Sequence, residues 1–524
     1  MTHDKNTGSQ HEIAEDWYPP PLISIEQLTN EQRVTATRAT RGESLFITGP
    51  AGTGKSFLVR FIIQELERLH PKRIAVTAST GIAAANIGGQ TLHSFAGIGN
   101  GLDARSVLIA RVKRNVRICQ RWRETQVLII DEISMLSENV FELIAAIAQA
   151  TRQSRVPFGG LQLILTGDFL QLPPVSTREK QRAKYCFESK AWNHGGFDSG
   201  TVVLQEVVRQ SSDQHFVSIL NEVRNGIVSP SAKVTLDSCN ISVKALPQDG
   251  IVPTKLYCLN RNVDTENMTR LAALPGQPVV FQASDCCRDV LDAQTKKALF
   301  AILDQAIPSE LALKKGAQVI MMKNKAELEL VNGSRGIVVG FEHRLPLVRF
   351  ETGLVICVGK ARFVQGIFPA KVARIQVPLK LGWALTVHKA QGMTLTRAEL
   401  QVDNAFEVGQ AYVALSRLTS TTGLWIRGSG LSTANTLVDP IVLDFYRRVA
   451  TTAVDDIAAS PRGRKRLLSI GQTPSNQKRI RLSEQKRTQI TLPNLFSSMA
   501  CASTSSSTWV QPLEASADEV IVID

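Results

Sequence analysis

A chain of 524 residues has room for two or three domains, each with its own core. With 43% hydrophobic and 20% charged residues it has the make-up of a soluble globular protein with some polar excess. Its net charge of +13 points to a polyanionic partner, without separating nucleic acid from a membrane surface. No apolar run approaches the roughly 18 residues that a membrane span needs. The eight cysteines include one adjacent pair, Cys286 and Cys287, and no Cys-x-x-Cys, which suits thiols in a reducing compartment better than a structural zinc. The opening residues lack an apolar signal core and are too acidic for a typical mitochondrial presequence, so the expected compartment is cytosol or nucleus.

Residues 1–28 are polar, end in a Pro-rich segment and read as a disordered arm. From there to about residue 448, apolar strands alternate with amphipathic helices, the pattern of parallel-sheet α/β architecture. The first unit, "LFITGPAGTGKSFLVRFIIQELERL", is a strand, a Gly-rich turn and a helix. Gly49, Gly54, Lys55 and Ser56 fill the pattern G-x-x-x-x-G-K-[ST], with Pro50, Ala51, Gly52 and Thr53 between them. Glycines let backbone N–H groups curl around a β-phosphate, and the helix N-terminus adds positive potential. Lys55 can reach the β- and γ-phosphates, and the Ser56 hydroxyl can ligate Mg²⁺. A later strand, "TQVLIIDEISML", carries Asp131 and Glu132 at its C-terminal end, where a parallel sheet would set them near the phosphate turn. A Mg²⁺-associated carboxylate (Asp131) beside one that positions or deprotonates water (Glu132) is what NTP hydrolysis requires.

Between these units the segment 100–123 is basic and amphipathic. Farther on, residues 316–378 read as short period-two strands separated by turns such as "VNGSRG", the pattern of a small β-barrel inserted into a second α/β domain. After "DFYRRVATT", Ser, Thr, Gln and basic residues dominate, and residues 449–524 read as a disordered tail. The expected organisation is thus a first P-loop domain over 29–200, a second over 201–448 with the β-rich insertion, and a tail.

The motif set "TASTGIAAANIGGQTLHSFAGIG", "PFGGLQLILTGDFLQLPPV", "VLQEVVRQSSDQHF", "LGWALTVHKAQGMTL" and "GQAYVALSR" resembles, in content and order, the motifs of the petite-integration-frequency (Pif) family of superfamily-one DNA helicases over roughly residues 29–448. The resemblance implies two RecA-like domains with an SH3-like subdomain in the second. It implies that Gln32 reads the adenine edge, and that Asp168 and Gln171 couple the γ-phosphate to DNA. Arg209 and Arg417 resemble the arginines supplied by the second domain, where they stabilise charge on the transferring phosphoryl group. Thr80, Gly81 and His93, then His388, Lys389 and Gln391, resemble elements that touch single-stranded DNA. His93 read alone could equally be a core histidine. The segment 100–123 corresponds either to an insertion near the duplex junction or to a solvated basic helix. Family likeness further implies ATP and Mg²⁺ as cofactors and 5′-to-3′ translocation, with unwinding of duplexes, RNA–DNA hybrids and G-quadruplexes in nuclear genome maintenance. The alternatives are a DNA-stimulated translocase that strips proteins without unwinding, and a clamp-docked adaptor.

The tail carries three short motifs of the kind that dock partners. Two basic clusters over 465–481 resemble a bipartite nuclear import signal or form a non-specific DNA-binding patch. Gln489, Leu492, Leu495 and Phe496 resemble the sliding-clamp (PCNA) interaction box, with Leu495 in a slot where an aromatic is usual. Val520, Ile521, Val522 and Ile523, bracketed by acids, resemble a SUMO-interacting strand.

Overall fold

The runs "LFIT", "IAVTA", "VLIID" and "QLILT" are apolar without alternation, so strands built from them must be covered on both faces. They form the middle of a six-stranded, wholly parallel sheet. Its strands are β1 (Leu45–Thr48), β2 (Ile74–Ala78), β3 (Gln90–Thr91), β4 (Val127–Asp131), β5 (Gln162–Thr166) and β6 (Thr201–Val203), in the order β3-β2-β4-β5-β1-β6. The computed structural model describes residues 22–459 except 100, 102, 175–181, 211, 259, 288–292, 324, 326, 327, 329, 366–371 and 402–406. The import-like, clamp-like and SUMO-like segments lie outside the described residues.

Side chains alternate between the two faces of this sheet. Leu45, Ile47, Val127 and Ile129 pack beneath α1 (Asn30–Thr40) and α2 (Lys55–Leu69). Phe46, Leu128 and Ile130 face a second core. That core is built partly by Leu108 and Val112 of a helix at Arg105–Arg114 and by Trp122 of one at Val116–Glu124. The basic segment 100–123 is therefore no free helix pair. Its apolar stripe is in the core, while Arg111, Lys113, Arg114 and Arg117 stay exposed.

A second parallel sheet of four strands runs in the order Ala384–Thr386, Thr254–Tyr257, Ala398–Gln401, Leu424–Arg427. Between its first two strands in the chain lies an antiparallel region wider than the expected 316–378. It begins at Val279–Gln282 and Ser284–Cys287 and takes in Leu379–Leu381. Among the described residues its strands form sheets of five, three and two strands rather than one closed barrel ladder.

Three boundaries differ from expectation. Residues 22–28 belong to the fold, since Ile23 exchanges backbone hydrogen bonds of 2.9 and 3.0 Å with the Gln64 carboxamide. The first sheet takes in β6, just past residue 200. The boundary expected at 448 falls inside the final helix, which runs over Pro440–Ala459. Its residues Val442, Phe445 and Val449 bury themselves in the core beside Phe46, Phe169 and Trp192 of the first sheet. The described residues through Thr452 make up one compact unit.

Candidate functional site

The turn between β1 and α2 is shaped by glycines. Gly49 has φ +146°, and a Cβ there would meet the Leu204 carbonyl oxygen at 2.3 Å. Gly54 takes the left-handed conformation as the N-cap of α2, which leaves the first turn's N–H groups directed into the loop. The Lys55 ammonium donates to the carbonyls of Gly49 and Pro50 at 2.7 and 2.9 Å. Ser56 is exposed in the first turn of α2. Gln32 caps α1 through Thr29 and donates its amide to the Thr53 carbonyl at 3.1 Å, which fixes it against the phosphate turn.

Asp131 ends β4, and Glu132 follows in the left-handed region at φ +53°. The Asp131 Oδ1 accepts from the Thr166 hydroxyl and from the Glu132 N–H, the latter at 2.9 Å. The strand next to β1 is β5, not β4, so the residues that follow β5 enter the gap between Lys55 and the acid pair. Asp168 is one of them and is fully buried.

Burial is the leading influence on each charge here. It pushes Glu132 up to about 7, helped by the neighbouring Asp131 and opposed by Lys55 and Arg417. It pushes Lys55 down to about 8 against the pull of Asp168 and Glu132. It lowers Arg417 to about 9, with Arg209 adding repulsion. Asp168 moves the other way: its burial is outweighed by Arg224, which holds it below the usual carboxylate range.

The opposing charges come from segments that follow β6 in the chain. Arg209 lies across Gly52 and donates to the Ser416 carbonyl at 3.0 Å. Arg417 is held by the Val413 carbonyl at 2.9 Å and the Ser416 hydroxyl at 2.8 Å. Gln171 is buried, and its backbone carbonyl sits directly beneath Gly409, at the start of the helix Gln410–Leu415. Arg209 thus touches the phosphate turn at Gly52 and meets Arg417 through Ser416, and Lys55, Asp131, Glu132 and Asp168 are near enough to bias one another's charge.

Four members of the cleft were not singled out from the sequence. Arg224 pairs bidentately with Asp168 at 3.0 and 2.8 Å. The Tyr412 hydroxyl accepts from the Ala51 N–H of the phosphate turn at 2.7 Å. Tyr446 reaches Asp168, and Gln210 donates to the carbonyls of Ser416 and Leu418. Tyr412 and Gln210 each stand within a quoted motif, so their sequence signal was present. Arg224 and Tyr446 stand in ordinary amphipathic helices and gave none.

The strand-contact candidates fall into two groups. Thr80 caps the helix Gly81–Asn86 through the Ala83 N–H, and this helix meets Gly392 through the Asn86 side chain. Gly392 follows the short helix Val387–Ala390, which bears His388 and Lys389. Next to it Gln391 is buried, and its Nε2 has no hydrogen-bond partner among the described residues. Thr80, Gly81, His388, Lys389 and Gln391 thus line two facing elements. Lys380, not foreseen, joins them: burial and the neighbouring Lys389 push it down to about 7. His93 is half-buried against Gly101, with burial depressing its basicity.

Comparison with known proteins follows the same lines. The model of the PIF1-like helicase family matches residues 23–233, and that of the DNA helicase Pif1 2B domain matches residues 301–341. The human ATP-dependent DNA helicase PIF1 is 42% identical over 428 residues, which cover 80% of this chain and 63% of that protein. The Xenopus laevis ATP-dependent DNA helicase PIF1 is 39% identical over 468 residues, 86% of this chain and 70% of that one. The chain thus spans less than two thirds of the human relative's length. A crystal structure of Pif1 helicase from Bacteroides in complex with ADP-AlF3 and ssDNA aligns with a TM-score of 0.54 at 26% identity, covering 81% of this chain and 97% of that one.

Proposed function

The chain belongs to the PIF1-like helicase family, and from that premise we propose that it is an ATP-dependent DNA helicase that translocates 5′ to 3′ on single-stranded DNA. The observation that carries this reading is the approach of Arg209 and Arg417, from segments beyond β6, to the phosphate turn and the charged groups Lys55, Asp131 and Glu132 of the first sheet: Arg209 packs across Gly52, and both arginines bond Ser416. The glycine turn and Lys55 bind the phosphates of ATP, and Gln32 is placed to meet the base. Glu132, poised near neutrality by burial, orients a water and takes its proton as the water oxygen bonds to the γ-phosphorus and the bond to ADP breaks. Arg209 and Arg417 take up the charge that develops on the phosphoryl oxygens. They do this in a dry site where such donors are worth most.

The donor set suits Mg²⁺: one buried carboxylate, Asp131, and one exposed hydroxyl, Ser56, would hold it together with phosphate oxygens, and it would neutralise charge between the β- and γ-phosphates. The facing elements that bear Thr80, Gly81, His388, Lys389 and Gln391 suit a backbone-gripping strand channel, to which Lys380 adds an amine that a phosphate would hold charged. His93, beside Gly101, is kept as a further strand contact in this reading.

The substrates proposed are duplexes, RNA–DNA hybrids and G-quadruplexes, and the compartment is the nucleus, reached through the basic pair at 465–481. The tail adds docking to a sliding clamp through Gln489, Leu492, Leu495 and Phe496, and to SUMO through Val520–Ile523. A strand-displacement assay with 5′-tailed and 3′-tailed duplexes tests the enzyme. Unwinding of the 5′-tailed substrate alone, lost in Lys55→Ala, is expected. ATP turnover without displacement from either tail would leave a translocase instead. For the tail, a 484–500 peptide should bind the clamp more tightly than its Leu492→Ala/Phe496→Ala version, and equal affinities remove that partner.

A further inference from the structure

Tyr446 lies on the final helix, outside every motif of the ATP site, yet its hydroxyl reaches that site. A phenol has one hydrogen to give and two lone pairs to receive with. All three are used. The hydroxyl donates to Asp168 Oδ1 at 3.0 Å and accepts from the Phe169 N–H at 3.2 Å. It also lies 2.7 Å from the Thr48 hydroxyl, which must then be the donor. Thr48 is the last residue of β1, directly before Gly49 of the phosphate turn, while Asp168 and Phe169 follow β5. The same phenol therefore ties the ends of two adjacent strands at the level of the nucleotide.

The ring has its own partner. The Arg224 guanidinium sits 5.3 Å from its centroid while it pairs bidentately with Asp168. Burial and the nearby Asp168 charge keep the phenol protonated, so the bond to Asp168 persists at neutral pH. The helix itself cannot shift freely, because Phe445 and Val449 are locked among Phe46, Phe169 and Trp192.

We propose that Tyr446 is a positioning residue for ATP hydrolysis: it sets the Asp168–Arg224 pair against the end of β1, so that the final helix is a working part of the ATP site. The proposal rests on the ATPase reading above. Asp168 is one of the acids near Lys55, and Arg224 comes from the helix Gln214–Arg224 beyond β6. Holding both in register with the phosphate turn decides how they meet ATP in the transition state, more than how tightly ATP binds beforehand.

The test uses the full chain and Tyr446→Phe, which keeps the ring over Arg224 and removes only the hydroxyl. DNA-stimulated turnover should fall about tenfold in kcat, with KM for ATP within about twofold, in a variant that still unfolds in one cooperative transition. In an Asp168→Asn background the same change should add no further loss, because both act through one carboxylate. If Tyr446→Phe matches the parent in kcat, or if the two losses multiply as independent ones, the proposal fails. Should Tyr446→Phe not fold, Thr48→Val decides: a several-fold loss of kcat at unchanged KM supports the node, and parental turnover overturns it. A parent with no DNA-stimulated turnover removes the ATPase reading and this proposal together, whereas an active parent with an unaffected variant removes the proposal alone.

Discussion

Glu132 and Lys55 share a cleft in which burial drives them toward each other in acidity, one up to about 7 and the other down to about 8. A base must be ionised to take a proton, so activity is lost as pH falls through the Glu132 value. The ammonium must be charged to hold phosphate, so activity is lost again as pH rises through the Lys55 value. The profile of kcat/KM, which reports the free enzyme, should therefore be a narrow bell with limbs near 7 and 8. Bound phosphate favours the charged ammonium, so the alkaline limb of kcat should lie higher. A flat profile between pH 6 and 9 would contradict both assignments. These two residues were legible because their chemistry is written contiguously: a glycine turn runs straight into Lys55, and a strand runs straight into Asp131-Glu132. Arg224 and Tyr446 were illegible for the opposite reason. Each is one polar residue on an amphipathic helix, and only the fold reveals that both close on Asp168. Asp168 itself could be assigned by family likeness, but not the reason it stays ionised while fully buried, which is the bidentate arginine.

Strands of the first sheet announced themselves because parallel strands buried on both faces are uniformly apolar. The wider antiparallel region was half-hidden. "SDCC" at Ser284–Cys287 has no alternating pattern, and its ladder partner, Val372–Gln376, lies far along the chain. The final helix misled for a different reason. Its apolar residues Val442, Phe445 and Val449 keep helical spacing, but the Thr- and Ala-rich turns beyond them resemble the tail in composition. Phe445 stacks on Phe187 at 4.4 Å and meets Phe169 edge-on at 5.4 Å. Phe445→Ala should therefore cost about 3–5 kcal/mol of stability, read as a shift of the denaturant midpoint. A cost below about 1 kcal/mol would mean that the helix is an appendage, not part of the first sheet's core.

For the molecule as a whole, the charge of +13 becomes informative once a strand path is placed beside it. Affinity for single-stranded DNA should fall linearly on a logarithmic salt scale, with a slope of about −0.7 for each phosphate neutralised, and removing Lys389 or Lys380 should each make that slope shallower. A slope indifferent to both would move the DNA path elsewhere. The docking of the final helix also bears on how the chain comes off the ribosome. Phe46, Phe169 and Trp192 are made early, but the residues that cover them, Val442, Phe445 and Val449, emerge some 240 positions after β6. At cellular elongation rates that gap lasts on the order of ten seconds or more. Until it closes, the nascent first sheet carries an open aromatic pocket and cannot complete its core. Such a chain should be a client of co-translational holdases, and a message truncated before residue 440 should yield an aggregating product instead of a smaller folded one.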